Sequence, residues 1–378
     1  MNSSKIYDIA IIGGGLAGLA LAIQGGKAGY KVALFEKEEY PYHKVCGEYI
    51  SLESRSFIES LGVDLQGFGI PLIDTLQASD IDGKIAEFPL HQGGFGISRY
   101  VLDNYLFDIA KESADVFTKC KVSSAEYKSG QFTILSTAGH IVAKVVTGCY
   151  GKKSNLDVKF RRPFILQKPS SLNNYIGVKY HIRYPQPKNL ISLHNFKNGY
   201  CGISNIEDDK CCLCYLTTAE NLRSAGSNIK VMEQEVLAKN PQLDRIFSTA
   251  EFLYKEPLTI SGVSFSSKSL VEDHILMVGD AAGMITPLCG NGMSMAMHSS
   301  KIAFGLIQDF LEDKISRHAL ELSYSKRWKQ EFGSRLRTGR WVQQLFGGNF
   351  TTKVFLRSMN AVPSIAKIII GLTHGKPF

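Results

Sequence analysis

The chain of 378 residues lacks several features that would assign it to a specialised class of protein. It has no run of 18 or more apolar residues, so we expect no helix that spans a membrane. It also has no internal repeat and no low-complexity segment. Apolar residues make up 44% of the chain and charged residues 21%. This is the composition of an ordinary soluble protein, long enough for two or more domains.

The eight cysteines show no disulfide framework for a chain of this length. The first motif begins close to residue 1, without the cationic and apolar segments of a secretory signal ahead of it. We therefore expect free thiols and a reducing, cytoplasmic location. Cys211, Cys212 and Cys214 are close in sequence, but no second pair at zinc-finger spacing lies nearby. An alternating strand with Cys212 and Cys214 on one face explains them better, and we predict no metal site.

The net charge of +8 is concentrated at the C-terminal end. Residues 314–378 contain twelve Lys or Arg and only two Glu. Within them, residues 324–346 mix arginines with apolar side chains, which predicts an amphipathic basic helix. One interpretation is a solvated helix face. The other is that this region closes a lipophilic substrate tunnel or makes peripheral contact with an anionic membrane; we predict no nucleic-acid partner.

Residues 8–37 carry the strongest pattern in the sequence. A short apolar run at 9–12 ends at glycines, residues 16–28 are rich in Ala and Leu at helical spacing, and a second apolar run ends at Glu36. Strand, helix and strand within about 30 residues are typical of a dinucleotide-binding unit. The Glu36 carboxylate would accept hydrogen bonds from an adenosine ribose, which argues against a 2′-phosphate.

Three glycines in the first turn fit the spacing G-x-G-x-x-G. Gly13 would form the tight turn, Gly15 would let the backbone approach a pyrophosphate, and Gly18 would let the helix pack closely on the strand. The free N–H groups at the start of the helix would then bind the pyrophosphate. A merely structural turn is the alternative, but the surrounding pattern favours a dinucleotide.

A second motif is Val278-Gly279-Asp280, followed by Gly290-Asn291-Gly292-Met293. The pattern predicts a strand, a Gly-Asp turn and then a helix from about residue 293 to 310. Asp280 would hold a sugar hydroxyl, and a helix beginning at Gly292 would direct its positive end toward a ligand. The alternative is that Asp280 serves only as a helix N-cap.

These motifs resemble the large flavoprotein family that includes p-hydroxybenzoate hydroxylase and, within it, the geranylgeranyl reductase branch. The N-terminal fingerprint, the loop Lys44-Val-Cys46-Gly47-Glu48, Arg99 at a helix start and the Gly279-Asp280 turn occur in that order, at similar spacing, over roughly residues 5–345. The resemblance implies FAD as cofactor. It also implies an α/β fold with a Rossmann-like FAD-binding domain, an antiparallel β-sheet substrate domain and a helical C-terminal region.

We divide the chain accordingly. The predicted FAD-binding domain comprises residues 1–70, 99–157 and 265–310, the substrate-binding sheet domain residues 71–98 and 158–264, and the helical region residues 311–378.

The resemblance also implies individual cofactor contacts. It assigns Ala17 and Glu36 to the ADP half, Val122 to the adenine, Cys46, Gly47 and Tyr49 to a loop beside the flavin, Arg99 to a contact from its helix, Asp280 to the ribityl chain, and Gly292 with Met293 to the isoalloxazine. Gly13, Gly15, Gly18, Lys37, Gly279 and Gly290 complete the predicted site. An exposed helix-start arginine at position 99 and an ordinary core valine at position 122 are the alternatives.

Three departures from the family pattern bear on the reaction. Hydroxylases of the family share an Asp-Gly motif before the second domain, where this chain has Gly-Cys-Tyr-Gly-Lys-Lys-Ser at 148–154. Halogenases carry a Trp-x-Trp-x-Ile-Pro motif, whereas the only tryptophans here are Trp328 and Trp341. Prenyl reductases share a Gly-Tyr-x-Trp-x-Phe-Pro strand; residues 199–204 keep the tyrosine, Tyr200, but not the other aromatics or the proline.

The favoured function is reduction of a carbon–carbon double bond in a lipophilic, isoprenoid-like substrate by hydride from reduced FAD. Cys46 is the candidate catalytic residue, as a proton donor beside the flavin; otherwise it is a small residue that lets the loop pass close to the ring. His43 and Tyr200 are secondary candidates.

The electron donor and the reaction class stay open at this point. Because no second G-x-G-x-x-G unit follows a strand, NADPH or NADH would bind transiently at the flavin, unless another protein delivers the electrons. The alternative functions are an FAD monooxygenase acting on an aromatic or polyketide-like substrate and a non-catalytic flavin- or lipid-binding protein.

Overall fold

A computed structural model of the protein describes residues 6–168 and 174–378. Within them, the strands form two sheets, and helices pack on both. The predicted segments 1–70 and 158–264 include residues 1–5 and 169–173, which lie outside the described residues.

The strands are β1 (Ile6–Ile12), β2 (Val32–Phe35), β3 (Tyr49–Ser51), β4 (Leu72–Ser79), β5 (Ile85–Gly96), β6 (Asp115–Phe117), β7 (Val122–Lys128), β8 (Gln131–Ser136), β9 (Gly139–Gly148), β10 (Tyr175–Arg183), β11 (Leu190–Phe196), β12 (Gly199–Asn205), β13 (Cys211–Thr218), β14 (Glu251–Phe252), β15 (Leu258–Val263), β16 (Val271–Glu272) and β17 (Ile275–Met277).

The helices are α1 (Leu16–Lys27), α2 (Arg55–Ser60), α3 (Arg99–Ala110), α4 (Asn155–Lys159), α5 (Pro163–Leu166), α6 (Ala219–Ser224), α7 (Ile229–Met232), α8 (Pro241–Thr249), α9 (Gly292–Leu311), α10 (Arg317–Leu345), α11 (Asn349–Ala361) and α12 (Pro363–Thr373).

The first sheet is built around the N-terminal motif. Its strand order is β16-β17-β9-β1-β2-β6, with β7 and β8 attached beside β9. β1 pairs in parallel with both β2 and β9, and its residues Ile9, Ala10 and Ile11 have no exposed surface. Strands covered on both faces are typically apolar throughout, which explains the uninterrupted run at 9–12. α1 lies over this sheet and contacts α3 and α9, so the predicted strand–helix–strand unit is confirmed.

The second sheet has the order β14-β10-β13-β12-β11-β4-β5-β3, with β15 beside β10. Most of its pairs are antiparallel, as predicted, but β11 pairs in parallel with β4. The exception arises because β4 comes from a distant part of the chain and no hairpin turn fixes its direction relative to β11. β3, which lies inside the predicted segment 1–70, joins this sheet by pairing with β5.

A glycine pair often marks a turn, but Gly93-Gly94 lies inside β5. The hairpin between β4 and β5 turns at Asp82-Gly83, where Asp80 N donates to the Lys84 carbonyl at 3.0 Å. Gly94 lies inside β5 because the Tyr49 ring occupies the place of its side chain, 2.4 Å from where a Cβ would stand. This glycine accommodates an aromatic ring from a neighbouring strand.

Two helical regions differ from their sequence patterns. Residues 221–240 have helical spacing, but Gly226 and Ser227, both with a φ of 61°, interrupt the helix. α10 begins at Arg317, earlier than predicted, where the Ser316 hydroxyl caps it by accepting from Ala319 N at 3.2 Å.

α11 and α12 cover part of the second sheet. Phe355, Leu356 and Met359 of α11 are buried against Phe88 of β5. In the described part of the chain, no single helix is long and apolar enough to cross a membrane. Residues 350–361 and 364–373 meet that length and composition only as a pair, bent by 113°.

We predict that Gly18→Ala destabilises the protein, since the new Cβ would stand 2.0 Å from the Gly13 carbonyl oxygen. Overpacking of this kind costs about 1–3 kcal/mol or more. Gly305→Ala is the matched control: Gly305 lies in α9 with no atom near its Cβ position, and the change should stabilise by about 0.5–1 kcal/mol. Urea unfolding of both variants measures the difference, and equal stabilities would contradict it.

Candidate FAD site

The glycine turn after β1 leaves an open cradle in front of α1. Gly13 has a φ of +107°, and a Cβ there would meet the Cys149 carbonyl at 2.6 Å, so only glycine fits. At Gly15 the nearest atoms to a Cβ would be Arg99 Nη2 at 3.7 Å and Lys44 Nζ at 3.8 Å. Two cations and a helix N-terminus therefore face the same space, as a pyrophosphate requires.

Asp103 holds these two cations in place. Arg99 donates to its carboxylate through Nε at 2.6 Å and Nη2 at 2.7 Å, and Lys44 Nζ donates at 2.9 Å. Burial opposes ionisation of Asp103, but the two cations outweigh it and lower the pKa of the carboxyl. One carboxylate against two cations leaves a single positive charge beside Gly15 for an anionic ligand.

A cavity of about 230 Å³ brings most of the predicted cofactor residues together. Those that line it are Gly15, Ala17, Cys46, Gly47, Tyr49, Arg99, Gly279, Asp280, Gly290, Gly292 and Met293. The two sequence motifs meet here: a Cβ on Gly279, whose φ is +65°, would stand 3.1 Å from the Ala17 Cβ.

Five predicted cofactor residues are not among those that line this cavity. Gly13 and Gly18 shape the turn instead. Glu36 is buried beside the turn and accepts from Gly14 N at 2.9 Å. Lys37 is an exposed side chain, 3.6 Å from Glu38. Val122 is buried, and its carbonyl accepts from Asn155 Nδ2 at 3.2 Å.

Tyr49 forms a distinctive part of the cavity wall. Its ring lies against Gly290, where a Cβ would be 2.9 Å from it. Its hydroxyl is buried without a hydrogen-bond partner among the described residues. Burial raises the pKa of Tyr49 well above its usual range, so the hydroxyl stays a neutral donor. A buried, unpartnered donor beside a cavity fits a ligand with polar groups, as a flavin has.

The chain is similar to several known proteins. A family model described as pyridine nucleotide-disulphide oxidoreductase matches residues 7–155. Conditioned medium factor receptor 1 of Dictyostelium discoideum is 26% identical, over 88% of this chain and 69% of its own. Digeranylgeranylglycerophospholipid reductase 1 of Methanothermobacter thermautotrophicus is 24% identical, over 78% of this chain and 75% of its own. The solved structure of a flavin-dependent brominase, 19% identical, superposes with a TM-score of 0.79 over 98% of this chain and 93% of that one.

Residues 7–155 thus match an oxidoreductase family model, and the chain as a whole has the fold of solved flavin-dependent enzymes. The predicted fold class and the predicted cofactor are confirmed. The cradle at Gly15, its two cations and the Tyr49 wall are the features of this structure that fit the cofactor.

A buried charge cluster lies at the loop of residues 44–48, called here the flavin loop. Glu48 has no exposed surface and a φ of 56°. Its carboxylate accepts from Lys179 Nζ at 2.5 Å, from Arg99 N at 2.8 Å and contacts His181 Nε2 at 2.6 Å. Burial opposes ionisation of Glu48, but Lys179 and His181 outweigh it and lower its pKa to about 2. The cluster therefore holds a carboxylate paired with an ammonium between the flavin loop and β10.

Cys212 completes this cluster. Its thiol donates to the Cys46 carbonyl at 3.2 Å, and burial raises its pKa well above the usual range. Glu48, His181 and Cys212 offer ligand atoms within 4.8 Å of one another, close enough to share a cation. Lys179 already balances the Glu48 charge and would repel a metal ion, so we interpret the group as an ion-pair cluster. All eight cysteines are free, as predicted.

Sequence analysis missed Lys44, Glu48, Lys179 and His181 as residues of the site. Lys44 and Glu48 belong to the loop motif that carries Cys46, but the sequence analysis assigned no role to their side chains. Lys179 and His181 alternate within the otherwise apolar strand β10, a pattern that places both on one face. That alternation was a signal, but it does not reveal the partner carboxylate 131 residues away.

We predict that Glu48→Gln destabilises the protein by about 3–5 kcal/mol at pH 7, because it leaves the Lys179 ammonium buried without its counter-charge. Since the folded pKa of about 2 lies below the usual 4.5, the carboxylate stabilises the fold above pH 4.5, and this contribution is lost as the pH falls toward 2. Denaturant unfolding at several pH values measures this.

The matched control for this variant is Glu251→Gln. Glu251 of β14 pairs with Arg183 of β10 at 3.1 Å, but both side chains are more than half exposed. Its removal should cost less than about 1 kcal/mol. Equal losses from the two variants would contradict the importance of the buried cluster.

Proposed function

We propose that this flavoprotein reduces a carbon–carbon double bond of a lipophilic, isoprenoid-like chain. The observation that carries the proposal is an apolar cavity wall that is continuous with the C-terminal helices. The apolar residues of this wall are Ile191, Leu193, Leu216, Ile260, Val263, Met284 and Ile285. Such a wall fits a hydrocarbon chain, whereas the charged residues that also line the cavity are Glu48, Arg99, Lys152 and Asp280.

The continuity runs through α12. Ile370 of this helix packs in one apolar cluster with Tyr49 and Ile191, both of which line the cavity. Asn291, beside the second glycine motif, donates to the Thr373 carbonyl at the end of α12 at 2.9 Å. The C-terminal helices therefore support the cavity directly, as a region that encloses a long apolar substrate would.

The roles of individual residues follow from their positions. Bound FAD would supply the two-electron chemistry. Arg99 and Lys44 would bind its pyrophosphate, Asp280 its ribityl chain, and the loop at Cys46-Gly47 would contact the ring. Cys46 is partly exposed and lines the cavity, where a thiol could donate a proton to the substrate carbon. NADPH or NADH is the proposed transient electron donor.

The similarity to an archaeal digeranylgeranylglycerophospholipid reductase supports this substrate class. Tyr200, the tyrosine that the chain shares with the prenyl reductase strand, is buried and lines the same cavity. The likeness to a brominase structure extends to the fold and supports no reaction by itself.

We predict that the reduced protein, under nitrogen, is reoxidised faster by a lipid with geranylgeranyl chains than by its saturated counterpart. Stopped-flow absorbance after reduction with NADPH, or with dithionite if nicotinamide fails, measures this. With oxygen, reoxidation should be slow and uncoupled from any hydroxylation. A long-lived oxygen adduct, or hydroxylation of an added aromatic compound, would favour the monooxygenase. Reduced, bound FAD that no substrate reoxidises would favour the non-catalytic flavin- or lipid-binding protein.

We also propose that the C-terminal helices make peripheral contact with an anionic membrane, where such a substrate resides. The outward faces of α11 and α12 expose Val354 at 47%, Ile365 at 37%, Ile368 at 61% and Leu372 at 50%. Arg357 and Lys367 lie among them, Lys353 pairs with Asp82, and neither helix contains an acidic residue. Apolar side chains flanked by cations are the pattern of an interfacial helix.

We predict that vesicles containing phosphatidylglycerol bind the protein at low salt, more strongly than phosphatidylcholine vesicles do. Val354→Asp with Ile368→Asp should reduce binding about tenfold or more, because each places a charge in the apolar contact. Leu135→Asp, at a residue 50% exposed on β8, is the control and should bind as the natural protein does. Sedimentation with vesicles measures this; no binding at low salt, or equal loss in the control, would refute the contact.

A further inference from the structure

Four side chains form a continuous hydrogen-bonded row from the protein surface to the FAD cavity. Glu48, at the inner end, lines the cavity and contacts His181 Nε2 at 2.6 Å. His181 Nδ1 lies 2.7 Å from the Tyr254 hydroxyl. That hydroxyl lies 3.1 Å from His43 Nε2 and 3.2 Å from His43 Nδ1.

The outer end of the row reaches solvent. His43 is partly exposed and stacks on Tyr100, which is 38% exposed, with ring centroids 4.5 Å apart. His181 is 3% exposed and Glu48 is fully buried. The row therefore extends from the protein surface to the cavity. Each of its four side chains can hold and release a proton.

We propose that Glu48, His181, Tyr254 and His43 form a proton path between solvent and the FAD cavity. His43 passes a proton to the Tyr254 oxygen while the Tyr254 hydroxyl proton moves to His181 Nδ1. His181 then releases its Nε2 proton to Glu48, from which it enters the cavity. One proton enters at His43 for each proton delivered at Glu48, and no electrons move. This inference goes beyond the proposed reaction, since it concerns the cavity whichever substrate occupies it.

At pH 7 the Glu48 carboxylate, with its pKa lowered to about 2, is ionised and able to accept a proton, while His43 and Tyr254 are neutral. Burial, with Lys179 and His181 nearby, lowers the pKa of His43 to about 4, so its ring is neutral at pH 7 and can accept a proton as well as donate one. Burial raises the pKa of Tyr254 above its usual range, so its hydroxyl stays protonated. The other titratable groups that act on the row are Lys179, Lys210, Glu207 and Cys212.

The path is also distinct from a merely structural contact. Lys179 alone balances the Glu48 charge, and its ammonium also donates to the Lys44 carbonyl at 3.1 Å. Fixing the flavin loop therefore does not require Tyr254 or His43. Among the described residues, the hydrogen bonds of the Tyr254 hydroxyl connect His181 to His43, which is partly exposed.

The central test is Tyr254→Phe, which removes the hydroxyl that joins the two histidines and keeps the ring. His43→Gln interrupts the path at its outer end, where a change of side chain least threatens the fold. Tyr180→Phe is the matched control. Tyr180 lies between Lys179 and His181 on β10 but faces the opposite side, where its hydroxyl donates to Glu233 at 2.8 Å.

Proton uptake on reduction of bound FAD gives the first readout. Reduced methyl viologen supplies electrons without protons, so two electrons and one proton from solvent are consumed for each FAD, and a pH-indicator dye follows the proton in stopped flow. We expect uptake about a hundredfold slower in Tyr254→Phe and His43→Gln, and unchanged in Tyr180→Phe. Natural rates in both path variants would overturn the proposal.

Nitrogen NMR of the histidines in cofactor-free protein gives a readout that needs no FAD. We expect His181 to carry its proton on Nε2 and to accept at Nδ1, and Tyr254→Phe to shift both the His181 Nδ1 and the His43 signals. Tyr180→Phe should shift neither. A proton on His181 Nδ1 would reverse the hydrogen bond from Tyr254 and refute the path, whatever reaction the loaded protein catalyses.

Discussion

The Glu48 carboxylate is the contact on which the geometry of the site depends. It joins three elements that are remote in sequence: the flavin loop, the start of α3 through Arg99 N, and β10 through Lys179 and His181. A fully buried carboxylate is tolerated only when each lone pair has a donor and the charge is balanced. Because these donors lie at the start of α3 and on β10, the position of the flavin loop is fixed relative to both elements. The positive φ of Glu48 shows that the backbone is held there in a conformation that a glutamate would not otherwise favour.

A second arrangement of charges prepares the cofactor's phosphate end. Asp103 lies behind Lys44 and Arg99 and keeps both cations directed at Gly15. Without this carboxylate the two cations would repel each other in a buried place. With it, they retain one positive charge in front of the N-terminus of α1. Binding of an anion therefore requires little rearrangement, which is the advantage of a preorganised site.

The sequence predicted those parts of the fold and site that depend on neighbouring residues. The strand–helix–strand unit, the glycine turn and the helix after Gly292 follow from spacing within about 30 residues. What could not be predicted depends on residues distant in the chain. Gly94 looks like a turn residue, because only the structure shows the Tyr49 ring beside it. Lys179 and His181 show their shared face by alternation, but their partner, Glu48, is 131 residues away from Lys179 in the sequence. Likewise, the parallel pairing of β11 with β4 is set by the path of the whole chain and not by a turn.

The C-terminal helices α11 and α12 contact the wall of the cavity and also form part of the protein surface. One side of α11 is buried against the second sheet, while Val354 on the same helix is exposed. A helix that only stabilised a globular fold would be expected to be apolar on one side and polar on the other. Apolar groups on both sides, with cations and no acids, support the proposal that the outer side contacts an apolar environment. Because Ile370 of the adjoining helix packs with residues that line the cavity, a membrane contact at the outer face would bring a lipid substrate to the wall that has to receive it. Under the proposed function, a lipophilic substrate would explain both the composition of these helices and the apolar cavity.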